Sequence, residues 1–163
     1  MSPAQMSGPA MRRQDKELRD PAVIRATLEQ AQVVRVAMVE GDRPYLLPFS
    51  FVVEGDALFV HSAAHGRKIG ILRANPNVCF EVEADVAVVL HKNPCDVGVR
   101  FRSVVGFGTV SFVEDRAEKA RVLRLFVDKY APKSGREMPA HEIEKTVVWR
   151  VAMERLTGKR SGR

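Results

Sequence analysis

The sequence predicts a small, mainly β barrel with flanking helices. Two observations carry this reading. Six or seven short stretches rich in Val, Ile, Phe and Thr are separated by tight turn signals, and only two or three helical stretches interrupt them, without the regular strand–helix alternation of a parallel sheet.

The elements follow in order. Residues 1–10 are small and polar, with Pro3 and Pro9, and read as a flexible N-terminal extension to a single domain over 11–163. Asp20-Pro21 is a helix start, a capping side chain followed by a proline whose missing N–H costs nothing there, and Ile24, Leu28 and Ala31 share one helical face. Val33–Glu40, Tyr45–Val53 and Ala57–Ser62 are strands separated by Gly41-Asp42-x-Pro44 and Glu54-Gly55-Asp56, and predict an antiparallel meander. A helix of about two turns follows Gly66, with Ile69 and Leu72 inward, and ends at Asn75-Pro76.

Val78–Val82 and Val86–Leu90 read as two strands, His91–Gly98 as a polar loop, and Val99–Val113 as a long strand bent or bulged at Gly106 and Gly108. Asp115 caps a helix to about Tyr130, predicted to bury Ala120, Leu123, Val127 and Tyr130. Ala131–Pro139 is a loop, and Thr146–Met153 a final strand containing the one tryptophan, Trp149, expected in the core.

No apolar run approaches the length of a membrane span and no signal-peptide pattern opens the chain, so a cytoplasmic protein without membrane contacts is expected. Cys79 lies in a strand pattern and Cys95 in a polar loop, so both are expected as free thiols. The net charge is +6, but Arg155, Lys159, Arg160 and Arg163 in the last nine residues carry four of those charges. The excess therefore reads as one terminal tail, and no nucleic-acid partner is expected.

The chemistry concentrates in His61-Ser62-Ala63-Ala64-His65-Gly66-Arg67-Lys68, a strand end, a short link, a glycine, then two cations in the first turn of a helix. Basic side chains have the wrong sign for a helix N-terminus unless an anion sits beside them. Arg67 can grip a phosphate with two N–H groups, Lys68 adds a point charge and the Ser62 hydroxyl can donate. The pairs His61/His65 and His91/Cys95 have the spacing of half a metal site, but no second half is evident and no metal is expected.

The run His61-Ser62-x-x-x-Gly66-Arg67-Lys68-x-x-x-Leu72-x-x-Asn75-Pro76-x-Val78-Cys79-Phe80 resembles the pyridoxamine-phosphate-oxidase-like flavin proteins, closest to their nitroimidazole-resistance branch. Met11-Arg12-Arg13-x-Asp15, Arg102-Ser103-Val104-Val105-Gly106-Phe107-Gly108 and Leu156-Thr157-Gly158-Lys159-Arg160-Ser161 agree with it. The resemblance implies an FMN-binding split β-barrel, homodimeric, with the flavin at the subunit interface.

Carried over by position, it implies phosphate contacts at Ser62, Arg67 and Lys68, with Ala63 and Gly66 beside them. It places Leu46, Leu47, Pro48, Phe49, Ser50 and Phe51 along the ring edge, and Ser103 as a polar flavin contact. His61 is implied as a catalytic proton donor or substrate clamp at the same cleft. The expected function is FMN-dependent reduction of nitroaromatic (5-nitroimidazole-like) or other electron-poor small molecules, with a transient reductant such as NAD(P)H. The alternative is a flavin- or haem-binding carrier or sensor without turnover.

Overall fold

A computed structural model describes residues 11–133 and 138–162. The elements are β1 (Glu17–Leu18), α1 (Pro21–Gln30), β2 (Val34–Glu40), β3 (Arg43–Phe49), β4 (Phe51–Glu54), β5 (Ala57–Ala63), α2 (Arg67–Ala74), β6 (Asn77–Val89), β7 (Gly98–Phe112), α3 (Arg116–Tyr130), α4 (Ala140–Lys145) and β8 (Thr146–Ser161). The strands form one antiparallel sheet in the order β3-β2-β6-β7-β8-β5-β4, with β1 added to β8. Its two end strands, β3 and β4, are not paired to each other, yet they are consecutive in sequence. The chain thus crosses at Ser50 from one edge of the curled sheet to the other, and the barrel is split there.

That crossing corrects the predicted meander. Tyr45–Val53 reads as one strand because its apolar residues continue through Ser50, but its halves pair with different partners, β3 with β2 and β4 with β5. The crossing is held from outside by Tyr130. Its hydroxyl accepts the Phe51 N–H at 2.9 Å, and its proton faces the Phe51 and Gln32 carbonyl oxygens, 2.9 Å each.

Two cores result. Inside the barrel, Ile24, Leu28, Val34, Val36, Phe80, Val104, Trp149 and Leu156 are almost fully buried. Trp149 is there as expected, edge-on to Phe49 at 5.3 Å. Outside, α3 covers β4, β5 and β8 through Val122, Leu123 and Phe126 against Val52, Phe59 and Val148. This face of α3 is rotated from the predicted one: Leu123 is buried, whereas Ala120 and Val127 are half-buried and Tyr130 is exposed.

Local start signals hold. Asp20 accepts from the Ala22 N–H at 2.8 Å, and Asp115 from the Glu118 N–H at 2.7 Å. The long β-hairpin is more continuous than predicted. β6 is one strand whose register shifts between Ala84 and Ala87, with Asp85 at φ +57°, a backbone that Asp tolerates better than most residues. The bulge predicted near Gly106 and Gly108 falls on the partner strand, where Glu154 is the extra residue opposite Phe107 and Gly108. Gly106 has a packing reason: a Cβ there would lie 2.1 Å from the Phe80 ring.

The terminal tail is also corrected. Residues 155–161 continue β8 and pair with β7, so Arg155, Lys159 and Arg160 belong to a folded surface. Gly158 permits this, because a Cβ there would meet Leu18 at 2.8 Å. The sequence also gives no sign of α4, and the middle of the predicted loop, 134–137, lies outside the described residues. The 1–10 extension lies outside them as well.

Candidate functional site

The α2 N-terminus is built as the sequence predicts. Gly66 stands at φ +108°, a conformation that favours glycine, and turns the chain from β5 into α2. No side chain caps the helix and no acidic residue lies in its first turn, so the Arg67 and Lys68 N–H groups are open to an external acceptor, while the Ile69 N–H donates to the Gly66 carbonyl. The exposed Lys68 ammonium donates to the His65 carbonyl at 3.3 Å, and the Ser62 hydroxyl to the Ala63 carbonyl at 3.2 Å. Both are weak local contacts that a phosphate can replace.

Arg67 has a stronger competitor. Its guanidinium is ion-paired with the Glu40 carboxylate, with Nε 3.0 Å from Oε2, and lies over the Tyr45 ring at 4.7 Å. The guanidinium holds the Glu40 carboxyl below the usual carboxylate range. Sequence reasoning did not single out Glu40 or Tyr45, because only the pairing of β2 with β3 brings the turn of that hairpin beside α2.

From Tyr45 the edge strand β3 leads away from α2. β3 pairs only with β2, so its other edge carries unpaired backbone groups, and it holds four of the six predicted ring-edge residues, Leu46–Phe49. Alternation puts Leu47 and Phe49 against the core and leaves Leu46 exposed at 58%. Ser50 is the crossing itself, and Phe51 is fully buried in the barrel.

Two predicted residues stand elsewhere. Ser103 on β7 pairs with Glu83 and Lys159. Counting along the ladder, it lies about seven residues down and two strands across from Glu40, roughly 25 Å away over the sheet. It shares the outer sheet face with the exposed Val88 and Val99.

His61 corrects the expectation of one shared cleft. Side chains alternate along β5, so Leu58, Val60 and Ser62 take the barrel side while Phe59 and His61 face α3. The His61 ring packs edge-on against Phe126 at 4.4 Å, its Nδ1 is buried without a hydrogen-bond partner, and burial lowers its pKa. A ring so placed is neutral near neutral pH and directed away from Ser62. His65 is exposed in the link before Gly66.

Both cysteines are free, Cys79 half-buried and Cys95 exposed. Among the described residues no group of three or more His, Cys, Asp or Glu side chains is placed to hold a metal ion. No helix among them is long and apolar enough to cross a membrane.

The family model described as pyridoxamine 5'-phosphate oxidase matches residues 20–160. Among solved structures, a candidate 5-nitroimidazole antibiotic resistance protein from Bacteroides thetaiotaomicron is 29% identical, with TM-score 0.77 over 88% of this chain and 86% of that one. The flavocytochrome Anf3 from Azotobacter vinelandii is 26% identical, with TM-score 0.81 over 94% of this chain and 73% of that one. A candidate pyridoxamine 5'-phosphate oxidase from Listeria innocua is 25% identical, with TM-score 0.57 over 83% and 94%. No curated protein matches the chain.

Proposed function

The chain belongs to the pyridoxamine 5'-phosphate oxidase family, and from that premise we propose that it binds a flavin at α2 and β3 and serves the reduction of electron-poor small molecules. The observation that carries the reading is the uncapped start of α2, where Gly66, Arg67 and Lys68 follow Ser62 at the end of β5. The residues fit a terminal phosphate: open backbone N–H groups, two cations and a hydroxyl on one end of the barrel. A phosphate monoester concentrates two negative charges on one group, whereas a dinucleotide spreads its two over linked phosphates, and two adjacent cations at one helix start favour FMN.

Arg67, Lys68 and Ser62 would hold the phosphate, with Arg67 exchanging Glu40 for it. The Tyr45–Phe49 track would orient the ring, its free backbone edge offering hydrogen-bond partners and Leu46 an apolar contact. Bound there, a flavin supplies two-electron transfer, with a reductant such as NAD(P)H as transient donor and a nitroaromatic compound as one acceptor class.

A homodimer belongs to the same proposal. Val86, Val88, Leu90, Val97 and Val99 are exposed along the β6–β7 hairpin, an apolar surface of the kind that marks an interface. A second copy packed there would bring its own Ser103 toward this chain's β3, resolving a separation that one chain cannot close.

The position of His61 supports a second reading, a flavin or haem carrier without turnover, because the expected proton donor is packed on Phe126. Anaerobic titration of the purified protein with reduced nicotinamide, then addition of a nitroaromatic compound, separates the two. Bleaching of flavin absorbance and its return on adding the acceptor support the reductase. A flavin that is never reduced supports the carrier.

A further inference from the structure

The other end of the barrel carries a second cationic region. Two adjoining clefts, about 630 and 510 Å³, share Arg160 and Gly162 as common walls. Arg13, Asp15 and Lys16 complete the first, and Asp85, Arg100 and Arg102 line the second. Both acids are already engaged. Asp15 takes Arg13 through two contacts of 3.0 and 2.9 Å, and Asp85 takes Arg102 at 2.7 Å. Arg102 is fixed a second time by the Gln30 side chain at 2.6 Å. Arg100 and Arg160 have no acidic partner among the described residues, and Lys16 shares Asp15 with Arg13.

The ladder sets two of these guanidinium groups side by side. Arg160 stands directly opposite Arg102 in the β7–β8 pairing, and like charges facing each other across strands are destabilising. The strand register keeps them there, and Gly162 closes the corner. It sits at φ +75°, and a Cβ on it would lie 2.8 Å from the Arg100 Cα, so the chain end rests on the Arg100 backbone. The sequence motifs Met11-Arg12-Arg13-x-Asp15 and Leu156–Ser161, which the flavin anchor leaves unused, converge here through the pairing of β1 with β8.

We propose that this is a second binding site, for a phosphate-bearing small molecule with at least two negative charges and the size of a nucleoside diphosphate. Two guanidinium groups without an acidic partner, Arg100 and Arg160, each able to bind phosphate through paired N–H donors, set the charge, with Lys16 beside them. The volume of each cleft, in the range of small-molecule sites, sets a size beyond inorganic phosphate. Within one chain the clefts lie at the opposite end of the barrel from α2. Ser62 pairs with Val147 near the start of β8, and Arg160 lies thirteen residues further on, roughly 40 Å along the strand.

The test is calorimetric titration of the protein as purified with ADP, inorganic phosphate and a short single-stranded oligonucleotide, at low salt. ADP is expected to bind with a submillimolar Kd, at least about tenfold tighter than phosphate. Arg100→Ala with Arg160→Ala should weaken ADP by tenfold or more and leave bound flavin unchanged. Should that pair fail to fold, Lys16→Gln at the half-buried Lys16 should still weaken ADP about threefold. Absence of ADP binding at millimolar concentration overturns the proposal, and so does ADP binding that survives these substitutions but is lost in Arg67→Ala with Lys68→Ala. Equal binding of phosphate and ADP would reduce the clefts to an ion site. Tighter binding of the oligonucleotide would make them part of a nucleic-acid surface, also against the proposal.

Discussion

The two ends of the barrel are both cationic but solve the problem of charge differently. At the α2 end, Arg67 meets a carboxylate, Glu40, contributed by a hairpin turn, and open helix N–H groups point at the same place. At the other end, strand pairing sets Arg160 against Arg102, and the end of α1 contributes the Gln30 side chain and not backbone donors. One end therefore combines directed backbone donors with a replaceable ion pair, and the other relies on side chains held in register. Counting charge along the sequence treated the second end as a loose tail, whereas pairing with β7 makes it a surface.

The largest expected effect concerns which end depends on a second copy of the chain. Light scattering should give about twice 18.2 kDa. Val88→Asp with Val99→Asp places charge on the exposed apolar face and should yield a monomer that has lost most of its flavin, while ADP binding at the far end stays within about twofold. A monomer retaining full flavin would remove Ser103 and the second copy from the site.

His61→Phe comes next. The sequence alone predicts that loss of this histidine slows nitro-compound reduction by roughly 10²–10⁴-fold, as for a positioned acid. The packing on Phe126 predicts a change within about twofold. It also predicts a gain of about 1 kcal/mol in stability, because a buried nitrogen without a partner is removed. The pH dependence follows in sign. Burial lowers the folded-state pKa, so as pH falls below about 6.5 the unfolded chain takes up a proton first and stability drops. Thermal melts across that range should lose this slope in His61→Phe.

The smallest effect isolates the replaceable ion pair. Glu40→Gln removes the acid that competes for Arg67, and flavin should bind about two- to fivefold more tightly, the range for an exposed pair. Weaker binding would mean that Glu40 positions Arg67 for the ligand.

What was legible in the sequence was local. Asp20-Pro21 and Asp115 give the helix starts because a cap acts within three residues, and Gly66-Arg67-Lys68 gives the uncapped start of α2 because its parts are contiguous. What was not legible depends on partners distant in sequence. Ser50 is a crossing only because β3 and β4 find different neighbours. Residues 155–161 lack a strongly apolar pattern, and only the β7 partner and the contact of Gly158 with Leu18 make them a strand. His61 and Ser62 are adjacent, but the two-residue period of β5 sends them to opposite faces.

Flavin content tests the central claim most directly. Wild type and Arg67→Ala with Lys68→Ala, purified alike, are compared by the ratio of flavin absorbance to protein and by refolding yield. The anchor at α2 predicts a folded double variant whose flavin affinity has fallen at least about 100-fold, since two charge-assisted contacts are lost. A folded double variant carrying as much flavin as the wild type would contradict it.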